Sequence, residues 1–233
     1  FPAVYHWTVI LVAIIASTGM AIWSTQSFNA GGAIVLMLAA YASWTLTSID
    51  WVMPLFCGFV CYLLTIVNQH STKKIASGAV IKALLLPCLA MLSAAAARYQ
   101  GREDVYRFFY GPFLAGCATV TAQSTWERIR RGRLDGTTHW IPRSIGTVVI
   151  TTLACLAVVL PSFAIQSDVA RYAPLWASLV VVASSKPLDM YFHPMRSMGD
   201  AKWWMARWLS VVLVMGAIAV LQTLPVDALW NPR

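Results

Sequence analysis

Apolar runs separated by short polar breaks repeat along almost the whole chain, and the breaks hold nearly all of its charge. Runs such as Val148 to Ile165 and Trp208 to Leu224 carry no ionised side chain. A helix that crosses a hydrocarbon core of about 30 Å, at a rise of ~1.5 Å per residue, needs roughly 20 mostly apolar residues. Eight segments approach that length: Tyr5 to Trp23, Ala30 to Leu46, Trp51 to Asn68, Gly78 to Ala97, Phe108 to Ser124, Ser144 to Gln166, Tyr172 to Ser185 and Met205 to Leu224. Tyr172 to Ser185 is short for a full crossing and reads alternatively as a tilted, broken or re-entrant piece, which would leave seven. The expected fold is an all-α polytopic membrane bundle of seven to eight transmembrane helices, forming a single domain over residues 1–233.

Local signals refine this outline. Tryptophans flank the run Trp7 to Trp23 and further spans follow it, which suits a retained first helix better than a cleaved signal. The link Thr47 to Asp50 is so short that the second and third helices must form a tight antiparallel hairpin. Pro54, Pro87, Pro112 and Pro161 fall inside apolar runs, where each removes a helix hydrogen bond and predicts a kink or a helix start. Small residues four apart, Ala90 with Ala94 and Gly111 with Ala115, permit close helix contact.

Composition narrows the class. With 59% hydrophobic and 11% charged residues, the chain does not have the make-up of a water-soluble domain. Its net charge of +8 therefore reads differently from that of a soluble basic protein. The cations sit at membrane edges, where anionic headgroups attract them by ~1 kcal/mol each, and no groove-reading motif accompanies them, so nucleic acid is not an expected partner. Membrane lipids are.

For eight spans, one side receives Lys73, Lys74, Arg128, Arg130, Arg131, Arg133, Arg143, Lys186, Arg196 and Lys202, and the other Arg98, Arg102, Arg107, Arg171 and Arg233. Basic loops stay in the cytoplasm, so the first group is assigned there. Eleven tryptophans, most near helix ends, fit interfacial belts.

Candidate chemistry is sparse. Cys57, Cys61, Cys88, Cys117 and Cys155 all fall within apolar helices, where cysteine packs as a small apolar residue, and no metal-type spacing joins them. Lys82 is the one cation well inside an apolar run, and its long stem allows it to reach the nearby edge. Buried carboxylates of the kind pumps use are missing, which weighs against a proton or sodium pathway. Thr119, Thr121, Gln123, Thr147, Thr151 and Thr152 are polar residues that either line a path or bond back to their own helix.

Three of the four histidines fall at the predicted cytoplasmic edge: His70, His139 with nearby Asp135, and His193 four residues after Asp189. A histidine exchanges a proton near neutral pH, and a carboxylate orients its ring. In this reading His193 and Asp189, with His139 and Asp135, are catalytic, and Arg128, Arg130, Arg131 and Arg196 hold a phosphate, diphosphate or coenzyme A moiety. Histidines at interfaces also serve as headgroup contacts and helix caps. Paired-aspartate or paired-histidine ligand spacings do not occur, so no metal site is expected, and no cofactor is indicated. Aromatic rings near Trp51 and Asp50 raise a further reading, a cation-stabilising cage with an adjacent acid.

Lys202-Trp203-Trp204-Met205-Ala206-Arg207-Trp208 mixes rings and cations and is expected to lie along the interface before the last helix. Its Trp204, Arg207 and Trp208 resemble the aromatic-Trp-x-Arg-Arg-Trp stretch of wax-synthase-like membrane acyltransferases, over about seven residues. Lys202 stands where an aspartate is expected, Ala206 replaces the first arginine, and no catalytic-histidine segment follows Trp208. The resemblance implies acyl transfer, with Trp204 and Arg207 among the substrate contacts.

Three functional expectations result. The first is a membrane enzyme that transfers or modifies a lipid-like substrate, acyl or isoprenoid, at the cytoplasmic edge. The second is a membrane-embedded structural or assembly subunit with other membrane chains as partners. The third is a transporter or channel.

Overall fold

The computed structural model describes residues 29–64, 77–134 and 200–223, and among them there are five helices and no strand. These are α1 (Ala30–Leu46), α2 (Ile49–Leu64), α3 (Ser77–Tyr99), α4 (Glu103–Leu134) and α5 (Asp200–Thr223). The helices expected over Tyr5 to Trp23, Ser144 to Gln166 and Tyr172 to Ser185 lie outside the described residues.

Local chemistry sets the boundaries. Asn29 caps α1, its Oδ1 accepting from the Gly32 N–H at 2.7 Å, which satisfies one of the orphan donors at a helix start. Only Thr47 and Ser48 separate α1 from α2, so the expected tight hairpin forms, and Asp50 belongs to the first turn of α2 and not to the link. The turn between α3 and α4 is a Schellman motif: Gly101 donates to Arg98 O at 3.0 Å and Arg102 to Ala97 O at 2.9 Å. Gly101 takes φ 72°, which a residue without Cβ adopts at no steric cost. Glu103 and Asp104 then open α4, where negative charge suits the amino end of a helix.

Two helices are long and apolar enough to cross a membrane, α3 over Gly78–Tyr99 and α5 over Trp204–Thr223. Both show large apolar side chains outward at helical spacing, Ile81, Leu85 and Leu89 on α3 and Met205, Leu209 and Leu213 on α5, with Met205 65% and Leu213 63% exposed. In α1, Ile34 and Leu38 do the same. Water strongly disfavours such continuous apolar surface.

Among the described residues, α4 is the central helix. It packs against α2, α3 and α5, and every residue from Tyr110 to Thr119 is buried. That position explains its composition. A helix covered by neighbours needs small side chains for close approach, and Gly111, Ala115, Gly116, Ala118 and Ala122 supply them. Its hydroxyls bond back to the helix, Thr119 to Ala115 O at 2.7 Å and Thr121 to Cys117 O at 2.8 Å, so they line no path. Two cores flank it. One gathers Trp51, Ala90, Met91, Ala94, Tyr110, Phe113 and Leu114, and the other Ala115, Ala122, Val214 and Ile218. A Cβ on Gly116 would stand 3.1 Å from Met215 Sδ and 3.2 Å from Pro87 Cγ, where α3, α4 and α5 meet. Gly116→Leu is therefore expected to destabilise the bundle by about 1–3 kcal/mol through overpacking. Denaturant titration of the purified protein checks this, and an unchanged midpoint would show that the three helices are not in close contact there.

Two expectations need correction. The fifth helix was expected over Phe108 to Ser124, but α4 begins at Glu103 and continues to Leu134. Arg128, Arg130 and Arg131 thus lie on a helix and not in a loop. Apolarity marks only the stretch fit for hydrocarbon, whereas Glu127, Arg128, Ile129 and Arg130 are adequate helix formers that carry the backbone onward. At 32 residues, α4 is about 48 Å long, well beyond a hydrocarbon core. Likewise, Asp200 to Trp208 is continuous with the last helix instead of a separate interfacial piece. Pro54, Pro87 and Pro112 lie inside α2, α3 and α4 without ending them.

Candidate functional site

The antiparallel order brings the start of α3, the second half of α4 and the start of α5 to one end of the bundle. Arg207, on the second turn of α5, donates from Nε to Gln123 Oε1 at 3.2 Å and from Nη2 to Ser124 Oγ at 3.3 Å. Gln123 is anchored on its other side as well, its Nε2 donating to Ser210 Oγ, and Ser210 in turn donates to Arg207 O at 2.8 Å. An amide held from both sides fixes the guanidinium that it faces.

Trp204, one turn before Arg207, carries two cations at its ring. The Arg207 guanidinium lies 5.3 Å and the Lys82 ammonium 5.6 Å from the ring centre, both inside the roughly 6 Å reach of a cation–π contact. Trp208 closes the junction by donating its indole N–H to Lys82 O at 2.8 Å. Two like charges on one ring repel each other, and each ring contact returns only about 0.5–2 kcal/mol.

Of the residues expected to bind substrate, Trp204 and Arg207 come together here. Arg128, Arg130 and Arg131 lie further along the helix that supplies Gln123 and Ser124, within ten residues of Leu134 at its end, a place where cations suit the carboxyl end of a helix. Arg196 and the residues expected to be catalytic, His193, Asp189, His139 and Asp135, lie outside the described residues. Lys82, Gln123, Ser124 and Ser210 are members that sequence reasoning did not assign to the site. Lys82 carried the one usable signal, a cation inside an apolar helix.

The opposite end is a structural clamp. Arg98, at the end of α3, donates to Thr47 O and stacks over Tyr106 at 5.4 Å. Ser48 reaches Asp50 Oδ2 at 3.3 Å and the Tyr106 hydroxyl at 3.4 Å, and Tyr110 donates to Asp50 O at 3.3 Å. Trp51 is wholly buried with Phe113, Tyr110 and Tyr106 at 4.7, 5.1 and 5.5 Å between ring centres. The rings fill one another's space, so this cluster is a packed core and not an open cation-stabilising cage.

Asp50 sits at the head of α2, ahead of the apolar run that starts at Trp51. Burial pushes its carboxyl up, and the hydrogen bond from Ser48 opposes that shift. The folded chain thus holds the proton more tightly than the unfolded one. That contribution to stability is full below the unfolded aspartate value and fades as pH rises through the folded one. Asp50→Asn, which is neutral throughout, should gain stability relative to the parent as pH rises above about 4. Denaturation midpoints of both proteins at pH 4 and pH 7 check this, and a variant that loses ground towards pH 7 would reverse the assignment.

No family model, no curated protein and no solved structure matches the chain.

Proposed function

We propose that the chain is a multi-pass membrane enzyme of eight spans that transfers or modifies a lipid-like substrate, acyl or isoprenoid, at the basic, cytoplasmic end of the bundle. The observation that carries this reading is the junction of Lys82, Trp204 and Arg207 at the end where α4 continues into its arginine-rich last turns. A site for an anionic head beside outward apolar stripes suits a molecule that is charged at one end and oily along the rest.

The eight-span topology draws support from the direction of the described helices. In the described residues α4 ends and α5 begins at this same end. Two crossings, over Ser144 to Gln166 and Tyr172 to Ser185, agree with that direction. In this reading Asp135, His139, Asp189, His193 and Arg196 belong to the basic end. There Asp189 orients His193 as a proton acceptor, Asp135 and His139 form a second pair, and Arg128, Arg130, Arg131 and Arg196 contact the anionic head.

A structural or assembly subunit is the competing reading, favoured by the exposed stripes on α1, α3 and α5, which partner helices would cover as readily as lipid. Mass spectrometry on the protein gently extracted from its membrane, with His193→Ala beside it, separates the two. A co-purifying lipid-like or acyl-carrier ligand that wild type turns over and the variant does not supports the enzyme. Stoichiometric partner chains, with no specific ligand and no effect of the substitution, establish the subunit instead.

A further inference from the structure

We propose that the clamp formed by Arg98, Ser48, Asp50 and Tyr106 is a pH-operated switch. Arg98 holds Thr47 O while Asp50 carries its proton, and swings onto the Asp50 carboxylate when that proton leaves. The switch stands at the end of the bundle away from Lys82 and Trp204 and does not depend on the enzyme reading. Two geometric observations carry it.

First, the guanidinium and the carboxyl grip the same two-residue link without pairing. Arg98 donates to Thr47 O, and Ser48 Oγ donates to Asp50 Oδ2 at 3.3 Å. One hydroxyl and one ring lie between them: Ser48 Oγ is 3.4 Å from the Tyr106 hydroxyl, and the guanidinium is 5.4 Å from the Tyr106 ring centre. Among the described residues, the ion pair at this end is Arg107 with Glu103 at 3.9 Å, and none joins Asp50 to Arg98. A guanidinium grips a carboxylate by two parallel charge-assisted bonds, which exceed a single bond to a carbonyl. Arg98 is exposed, so no packing opposes the exchange.

Second, the turn that carries Asp50 is loosened from its own helix. Pro54 has no N–H to give Asp50 O, and Tyr110 of α4 donates to that carbonyl instead, at 3.3 Å. A first turn without that rung yields more easily towards Arg98.

The remaining groups leave Arg98 as the cation of the clamp. α4 brings the hydroxyls of Tyr106 and Tyr110, and α1 offers only Tyr41, whose ring pairs with Trp44. Arg102, Glu103, Asp104 and Arg107 are exposed at the start of α4. Burial pushes the Asp50 carboxyl up, against the bond from Ser48, which brings its change of charge towards mildly acidic pH. On the acid side Arg98 ties the end of α1 to α3. On the neutral side it ties the start of α2 to α3, so acidity sets which helix of the hairpin is anchored.

The experiment uses the full chain in nonionic detergent, labelled with 15N-arginine and titrated from about pH 4 to about pH 7. The Arg98 Nε–H resonance is the one missing from Arg98→Lys. In wild type it should move along a single titration curve, and in Asp50→Asn it should stay at its acid position. Difference infrared spectra against Asp50→Asn follow the Asp50 carboxyl itself. Its midpoint should move to higher pH in Arg98→Gln and return towards wild type in Arg98→Lys, which keeps the charge. Arg98 is exposed and asparagine matches aspartate in shape, so these variants are expected to fold. An Arg98 resonance that is stationary in wild type, or that moves equally in Asp50→Asn, would overturn the proposal. So would an Asp50 midpoint that ignores Arg98→Gln. The His193 turnover test probes the other end of the bundle, so the two readings fail separately.

Discussion

Trp51→Ala is expected to cost about 3–5 kcal/mol of stability, the largest effect of any single truncation in the described helices. The indole is wholly buried and touches rings of Tyr106, Tyr110 and Phe113, all from α4, while its own helix is α2. Removing it leaves a cavity walled by aromatic rings on a rigid central helix, which cannot collapse to fill it. Because the loss is mainly one of packing, it holds in lipid as well as in water. Trp51→Phe sharpens the expectation: Trp51 Nε1 has no hydrogen-bond partner among the described residues, so a smaller ring forfeits contact area but no bond. It should cost much less than the alanine variant. Equilibrium unfolding in mixed micelles measures both, and equal losses for Ala and Phe would mean that an unrecognised polar contact of the indole dominates.

Gln123→Leu ranks second, at about 3 kcal/mol. The amide accepts from Arg207 and donates to Ser210, so a leucine of similar size leaves the Arg207 Nε and the Ser210 hydroxyl each without its partner across the α4–α5 contact. The penalty of a charged donor stripped of its acceptor exceeds the modest net value of an ordinary hydrogen bond. Gln123→Glu is the informative companion. It keeps an acceptor for Arg207 and adds a negative charge beside the guanidinium, so it should fold better than the leucine variant. An unfolding midpoint for Gln123→Leu within experimental error of wild type would show that the network is ornamental.

The contrast between α1 and α4 shows how far the one-dimensional pattern reaches. For α1, an asparagine cap, an unbroken apolar run and a two-residue link are all local, and the expected bounds Ala30 to Leu46 coincide with those observed. For α4 the apolar core was legible, but its ends were not. Its first turn is set by the Schellman turn at Gly101 and its last turns are charged, so neither carries the apolar mark by which a span is recognised. The junction at the other end was partly legible for the same reason. Trp204 and Arg207 stand out as a ring and a cation ahead of an apolar run, whereas Gln123 and Ser210 are 87 residues apart and have no meaning until two helices lie side by side.

The sequence by itself determined that this is a helical chain with apolar runs long enough to cross a membrane, and where α1 begins and turns into α2. Those properties follow from run length, caps and the cost of placing charge in hydrocarbon, and each is a sum over neighbours in the chain. Only the tertiary structure decided that, among the described helices, the least apolar one stands at the centre, that Lys82 meets Trp204 from another helix, and that the rings around Trp51 close into a core. These depend on which faces come together, and packing selects faces by shape complementarity between residues that are remote in sequence.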